Sequence, residues 1–201
     1  MDHEKKILSY IGGRNWTWIV GIVLAAAGIR ILSCPDSILV LLAIVLVFMG
    51  AYYLLRALTV DLPAVRRGKK CLKQLQMHGC LEQAAAELAE SGHECVGKSK
   101  TVFTPNFLFG HQNGIAYAYE DILWVYKHSF TQRVMGIPVK TVDSLMVGTA
   151  GGKTVCAVNM GRRDKTHALD AAAARIQERN PRVLLGYTPE NKKAFKELTK
   201  V

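Results

Sequence analysis

Residues 38–55, ILVLLAIVLVFMGAYYLL, run for 18 positions without a charge. About 20 helical residues cross the hydrocarbon core of a bilayer, so this block predicts a membrane-spanning helix over residues 38–57. Residues 15–32, NWTWIVGIVLAAAGIRIL, form a second apolar block. Its single charge, Arg30, lies near the end, where a long side chain reaches the headgroups. The connector SCPDS (33–37) holds Pro35 and Asp36, which stop helices and form turns. The pattern predicts a transmembrane helical hairpin. Trp16 and Trp18, with Tyr52 and Tyr53 on the other span, suit an interfacial level. The alternative for the first block is a signal peptide cleaved at LAAAG (24–28). The second block would then stop transfer and leave the rest of the chain on the same side.

Past the hairpin the hydrophobic period is helical. DLPAVRRGKKCLKQLQMHG starts at Asp61, a helix cap followed by a first-turn proline, and LEQAAAELAESG ends at Gly92. From about residue 94 the period becomes two. KTVFTP and NFLFGHQNG predict short strands with a turn at Asn113-Gly114, and residues 136–160 predict two strands around Gly151-Gly152. In IAYAYEDILWVYKH (115–128) the large residues change phase across Glu120-Asp121, which predicts a bulge or sharp bend. Trp124 and Tyr126 share a phase with Ile122 and are expected in the core. The last forty residues return to a helical period, with Asp164 as a cap, Asn180-Pro181 as a stop and a final short helix after Thr188-Pro189. The expected fold class is α+β.

The expected organisation is an N-terminal tail (1–14), spans at 15–32 and 38–57 joined by the turn 33–37, a basic helical connector (58–93) and a small domain (94–201). Charge sets the orientation. Lys5, Lys6 and Arg14 precede the first span, Arg56 stands at the end of the second, after its uncharged run, and Arg66, Arg67, Lys69, Lys70 and Lys73 follow it. Both termini are therefore expected in the cytoplasm, with the chain a two-span protein of the cell membrane. Four of the five cysteines, Cys71, Cys80, Cys95 and Cys156, show no paired spacing, as suits a reducing compartment. The net charge is +10. From Arg56 onward, 22 Lys and Arg stand against 13 Asp and Glu. A basic domain tethered at a bilayer meets anionic headgroups first, and nucleic acid is not an expected partner. The cluster Arg66, Arg67, Lys69, Lys70 and Lys73 is the candidate anionic-lipid contact, at about 1 kcal/mol per residue near a charged leaflet. Orienting the span explains the same charges.

YAYEDILWV, a glycine-containing turn, a strand and a capping helix together resemble the pleckstrin-homology-like domains of small bacterial membrane proteins. TPNFLF, YEDILWVYKH, Asn180-Pro181 and LLGYTPENKKAF are similar to an uncharacterised bacterial membrane family classed as a domain of unknown function. The resemblance spans about residues 94–199 and the two-span layout. It implies a small barrel or sheet with C-terminal helices that binds or scaffolds and carries no known reaction. Lipid-binding relatives place several basic residues on the first two strands. Lys98 and Lys100 fit that pattern loosely, and NFLFGHQ departs from it.

GHECVGKS matches the phosphate-loop pattern, with Gly92, Gly97, Lys98 and Ser99 at its defining positions. That chemistry requires a strand before the loop and a helix after it, whereas a helical pattern precedes this one and a strand-like segment follows. A membrane-tethered nucleotide-binding enzyme is the alternative function it supports. His78-Gly79-Cys80 and His93-Glu94-Cys95 have poor spacing for zinc, so no metal site is expected. No nucleophile–base set assembles, and no cofactor is expected. Tyr117, Tyr119, Glu120 and Asp121 form a candidate partner-binding surface, with core packing the alternative for the tyrosines. The expected function is non-catalytic: a membrane-anchored binding or scaffold protein whose domain meets a protein partner or the anionic membrane surface.

Overall fold

In the computed structural model, residues 2–12, 16–33, 37–90, 94–111 and 113–200 are described. The chain opens with helix α1 (Asp2–Ile11), followed by α2 (Thr17–Leu32) and α3 (Ser37–Arg56). One π-turn, Ala57–Asp61, joins α3 to α4 (Leu62–Met77) without interrupting the helix. Pro63 accounts for that turn, because its ring crowds the carbonyl of Thr59 and it lacks an N–H to donate. Among the described residues this continuous helix is the one long and apolar enough to cross a bilayer. The first apolar block forms the shorter, sixteen-residue α2.

Helices α2 and α3 pack antiparallel through glycine. A Cβ on Gly28 would lie 2.7 Å from Val47, and one on Gly50 would lie 2.7 Å from the backbone nitrogen of Ala25. Small residues at these positions let the two backbones approach closely. The outward faces stay apolar: Val23, Ile29, Leu41, Phe48 and Leu55 are all exposed.

Helix α5 (Leu81–Ala89) leads into the strands β1 (Cys95–Val96), β2 (Thr101–Phe103), β3 (Phe107–Gly110) and β4 (Ile115–Ala118), which form one antiparallel sheet in chain order. A 3-10 turn, Tyr119–Asp121, passes the chain to the second sheet. That sheet contains β5 (Ile122–Val134), β6 (Ile137–Thr149), β7 (Thr154–Asn159) and β8 (Leu184–Leu185) in the order β7-β6-β5-β8. The turn lies where the side-chain phase changes. Helix α6 (Ala168–Arg179) closes the gap between the sheets with Leu169, Ala172 and Ile176, against Leu108, Ile115, Val125, Leu145 and Val147. The two small sheets do not form a closed barrel.

A second core lies on the outer face of the first sheet. Phe107, Phe109, Val102 and Ala116 meet Cys71, Leu72 and Leu75 of α4, Ala84 and Ala85 of α5, and Ile7 and Ile11 of α1. The run FLF in β3 is continuously apolar because helices cover one face of its sheet and the central core the other. The segment expected as an N-terminal tail is thus, over Asp2–Ile11, a helix with Ile7 and Ile11 fully buried. The segment expected as a connector supplies one wall of the domain.

Trp124 and Tyr126 are buried, as expected, but in a cluster separate from the central core. The register slips between Ile122 and Trp124, so Ile122 joins Val125 in the central core. Trp124 and Tyr126 turn to the outer face, beneath Phe195 of α7 (Pro189–Leu198). Gly148 opposite leaves the space for that ring, since a Cβ there would lie 2.7 Å from Phe195. The Trp124 indole donates to Gly186 O at 2.8 Å and stacks on Tyr187.

Candidate functional site

Basic side chains of α4, the β1–β2 turn and β6 meet near the end of the domain where α3 runs into it. Three contacts build that end. Thr17 donates to the buried Asp61 carboxylate at 2.6 Å, tying the start of α2 to the π-turn. Asp61, expected as a helix cap, instead lies inside one continuous helix. Gly114 N donates to Ile11 O at 2.7 Å, and its φ of +67 fits the tight turn between β3 and β4. A Cβ on Gly114 would lie 2.1 Å from Ala64 O, so this turn presses directly on α4.

Beside this junction lies an open cavity of about 490 Å³ lined by Arg67, Lys98, Lys140, Ser99, Asn113 and Asn159, among others. Three cations and several hydrogen-bonding groups thus share one concave surface, drawn from α4, the β1–β2 turn and β6. On the neighbouring side of α4, Lys69 and Lys73 line a smaller groove with Lys5 and Glu4 of α1. Arg66, Arg67, Lys69, Lys70 and Lys73 are all exposed, while Ala64, Gly68, Cys71, Leu72 and Leu75 face the domain. The five-residue cluster therefore divides between two sides of the helix. Only Arg67 joins the cavity, where Lys98 and Lys140 complete the set. No local signal links residues so far apart in the chain.

The phosphate-loop residues have a different task. Lys98 N and Ser99 N donate to Asn159 O at 2.7 and 3.3 Å, and Ser99 Oγ accepts from Asn159 N at 3.0 Å. The loop amides are therefore spent on β7. Gly97 has φ +73, and strand β2, rather than a helix, follows the loop. Gly92 and His93 lie outside the described residues.

Of the candidate partner surface, Tyr119 is 3% exposed, and its hydroxyl donates to Thr104 O at 2.9 Å. Burial pushes its phenol up to about 12. Tyr119 therefore belongs to the core and not to a contact surface, because the 3-10 turn aims it between the sheets. Tyr117 is half-buried against α4, and burial raises its phenol well above the ordinary value. Glu120 is exposed and Asp121 half-buried. Burial raises the Asp121 carboxyl, the His78 imidazole opposes that, and Glu120 adds to it. The turn is held by Asn180, whose Nδ2 donates to both Tyr119 O and Ile122 O at 2.9 Å.

Two further aspartates form a structural pair. Asp164 accepts from the N–H groups of Leu169 and Ala168 at the start of α6, and Asp143 accepts from Ser129 Oγ and Asp164 N. In both, burial raises the carboxyl but these hydrogen bonds outweigh it and leave it below the ordinary value. Burial pushes the Cys71 and Cys156 thiols up, which makes them poor nucleophiles. Among the described residues no group of three or more His, Cys, Asp or Glu is placed to hold a metal ion. Comparison with protein families, curated proteins and solved structures gives no match.

Proposed function

We propose that the chain is a membrane-anchored, non-catalytic binding protein. Helices α2 and α3 form a two-span hairpin with both termini in the cytoplasm, and a pleckstrin-homology-like domain binds the anionic surface of the same membrane. The continuity of α3 into α4 carries this reading. A helix with an exposed apolar surface passes through Asp61 directly into the basic wall of the domain, with no linker between them. The basic end of the domain is thereby held beside the apolar helices.

Other features agree. Because α1 and α4 share one core, the segments before and after the apolar helices stand on one side of any bilayer those helices enter, as a hairpin requires. Trp16 and Trp18 are 58% and 49% exposed at the level of Asp61, between Arg56 at the end of α3 and the cluster that starts at Arg66. Two four-stranded sheets bridged by a C-terminal helix suit the pleckstrin-type resemblance. Along the helix axis Arg66 and Arg67 lie about 6–8 Å beyond Leu62, inside one Debye length, whereas Lys73 lies about 16 Å beyond it. Attraction to headgroups therefore falls chiefly on Arg66, Arg67, Lys98 and Lys140. The loop amides already bonded to Asn159 weigh against the nucleotide-enzyme alternative.

The test uses the full chain, because α1 completes the core, reconstituted in nanodiscs of neutral or partly anionic lipid. Hydrogen exchange at residues 65–70, 97–100 and 140–142 is expected to slow on anionic discs at low salt and to recover at high salt. Equal exchange on both lipids would remove the surface-binding function and leave a protein partner, sought by pull-down from native membranes. For topology, an impermeant maleimide on intact cells should leave the exposed Cys95 unlabelled until lysis. Labelling of Cys95 from outside would overturn the orientation.

A further inference from the structure

The β5–β6 hairpin outgrows the domain that it belongs to. Its inner half supplies Ile122, Val125, Leu145 and Val147 to the core, but residues 127–140 are exposed on both strands. The ribbon ends in a two-residue turn, Met135-Gly136, with φ +50 and +82, the geometry that a tight hairpin demands. Around that turn the exposed side chains are apolar: Phe130 60%, Val134 52%, Met135 98%, Ile137 68% and Val139 62%. The base of the ribbon has neighbours, with Lys127 paired with Asp164 and Asp170 and Lys140 at the cavity, but its distal part, residues 130–139, is exposed throughout. A two-stranded ribbon without a packed face is marginal in water, and a clustered apolar tip marks a contact with something else. Between Ile122 and Val142 the chain has no Asp or Glu, while Arg133 and Lys140 flank the tip.

The direction of the ribbon identifies its occupant. Strand β4 runs along α4 away from the apolar helices. Gly114 lies on Ala64, Tyr117 beside Cys71 and Asp121 near His78. Beyond the 3-10 turn, β5 reverses that course, and β6 runs antiparallel to it, so the ribbon they form points back along α4. The inner end of β6 is fixed where Ala150 N donates to Asp121 O, and its middle, at Lys140 and Val142, returns to the cavity shared with Arg67. That return covers about 16 Å of helix in about 23–30 Å of strand. Continued at the same inclination, the last residues carry the tip about 7–14 Å past Arg67. This is the level of Leu58, Val60 and Leu62, which are 63%, 52% and 42% exposed, and of Trp16 and Trp18.

We infer that the β5–β6 ribbon is a second membrane contact, whose apolar tip, Val134 to Val139, dips into the headgroup–acyl boundary while Arg133 and Lys140 meet anionic headgroups. It rests on the anchored reading above and adds a contact remote in sequence from the hairpin. The tip and the exposed apolar belt around the π-turn, Leu58, Val60 and Leu62, then enter the same lipid layer, and the domain is held at two points instead of swinging about one helix.

A photo-crosslinking residue, p-benzoylphenylalanine, tests this in the full chain reconstituted in vesicles of phosphatidylcholine and phosphatidylglycerol. It is placed singly at positions 58, 135, 137 and 178. Mass spectrometry is expected to find lipid adducts at 58, 135 and 137 and none at 178, on the exposed face of α6. Adducts at 58 with none at 135 or 137 would leave the anchor standing and overturn the ribbon contact. Adducts from 135 to a second copy of the chain, in place of lipid, would also overturn it and make the tip an interface between copies. Failure at 58 would overturn the anchor itself and the ribbon contact with it.

Discussion

Replacing Asn180 by alanine removes the fastening between α6 and the turn that joins the two sheets. Asn180 Nδ2 donates to Tyr119 O and Ile122 O, both at 2.9 Å, and its Oδ1 accepts from Arg182 N at 3.1 Å. Tyr119 and Ile122 are buried and both bonds part-buried, so their carbonyls are only partly compensated by water when the amide goes; Tyr119 O keeps the turn bond from Ile122 N. Of the three bonds lost, the exposed one from Arg182 N is replaced by water; the two part-buried ones at about 1 kcal/mol each, plus part of the penalty for a stranded carbonyl, give a loss of about 2–3 kcal/mol. Urea unfolding of the detergent-solubilised full chain measures it, followed by Trp124 fluorescence in a Trp16→Phe, Trp18→Phe background. With a typical urea dependence the midpoint falls by about 1–2 M. Asn180→Asp separates the causes. It keeps an acceptor for Arg182 N but places a carboxylate against two carbonyl oxygens, so its midpoint should fall at least as far. If both variants move the midpoint by less than about 0.3 M, the turn is held by packing and the hydrogen-bond argument fails.

Gly114→Ala combines a left-handed backbone with a Cβ 2.1 Å from Ala64 O, and is expected to cost more than about 3 kcal/mol in the same titration. Ile7→Ala opens a cavity between α1 and the first sheet and should cost about 2–4 kcal/mol; a value near zero would return residues 2–11 to the status of a tail. Gly148→Ala pushes on the Phe195 ring and should loosen α7, seen as faster proteolysis after Lys192 or Lys193 with the rest of the domain intact. Asp143 and Asp164 are depressed in the folded state, so the unfolded chain takes up protons first as the medium is acidified. Their stabilisation is complete above the ordinary aspartate value of 3.8 and is lost as pH falls through the lower folded values. Asp164→Asn should lower stability at neutral pH and flatten that acid dependence, which an unchanged acid limb would refute.

Local pattern determined much of this architecture. The apolar blocks became helices α2 and α3, the change of period near residue 94 marked the passage to strands, and the phase change at Glu120-Asp121 marked the turn between the sheets. These features depend on side chains within a few residues of one another, so one stretch of sequence contains their cause. Other features required partners brought from far along the chain. Asp61 reads as a helix start, yet Thr17, 44 residues earlier, satisfies its carboxylate and the helix runs on. A single-residue slip between Ile122 and Trp124 decided that Ile122 and Val125 face the central core while Trp124 and Tyr126 pack under α7, and no local periodicity specifies that slip. The α1 segment is charged enough to pass for a tail, and only the uncovered face of Phe107 and Phe109 makes it part of the core. Arg67, Lys98 and Lys140 share a cavity because the β1–β2 turn, β6 and α4 converge there. Sequence supplied the charges and the greasy surfaces, but their direction relative to the apolar helices was a matter of packing, since a side chain's neighbours across a sheet are chosen by the whole fold.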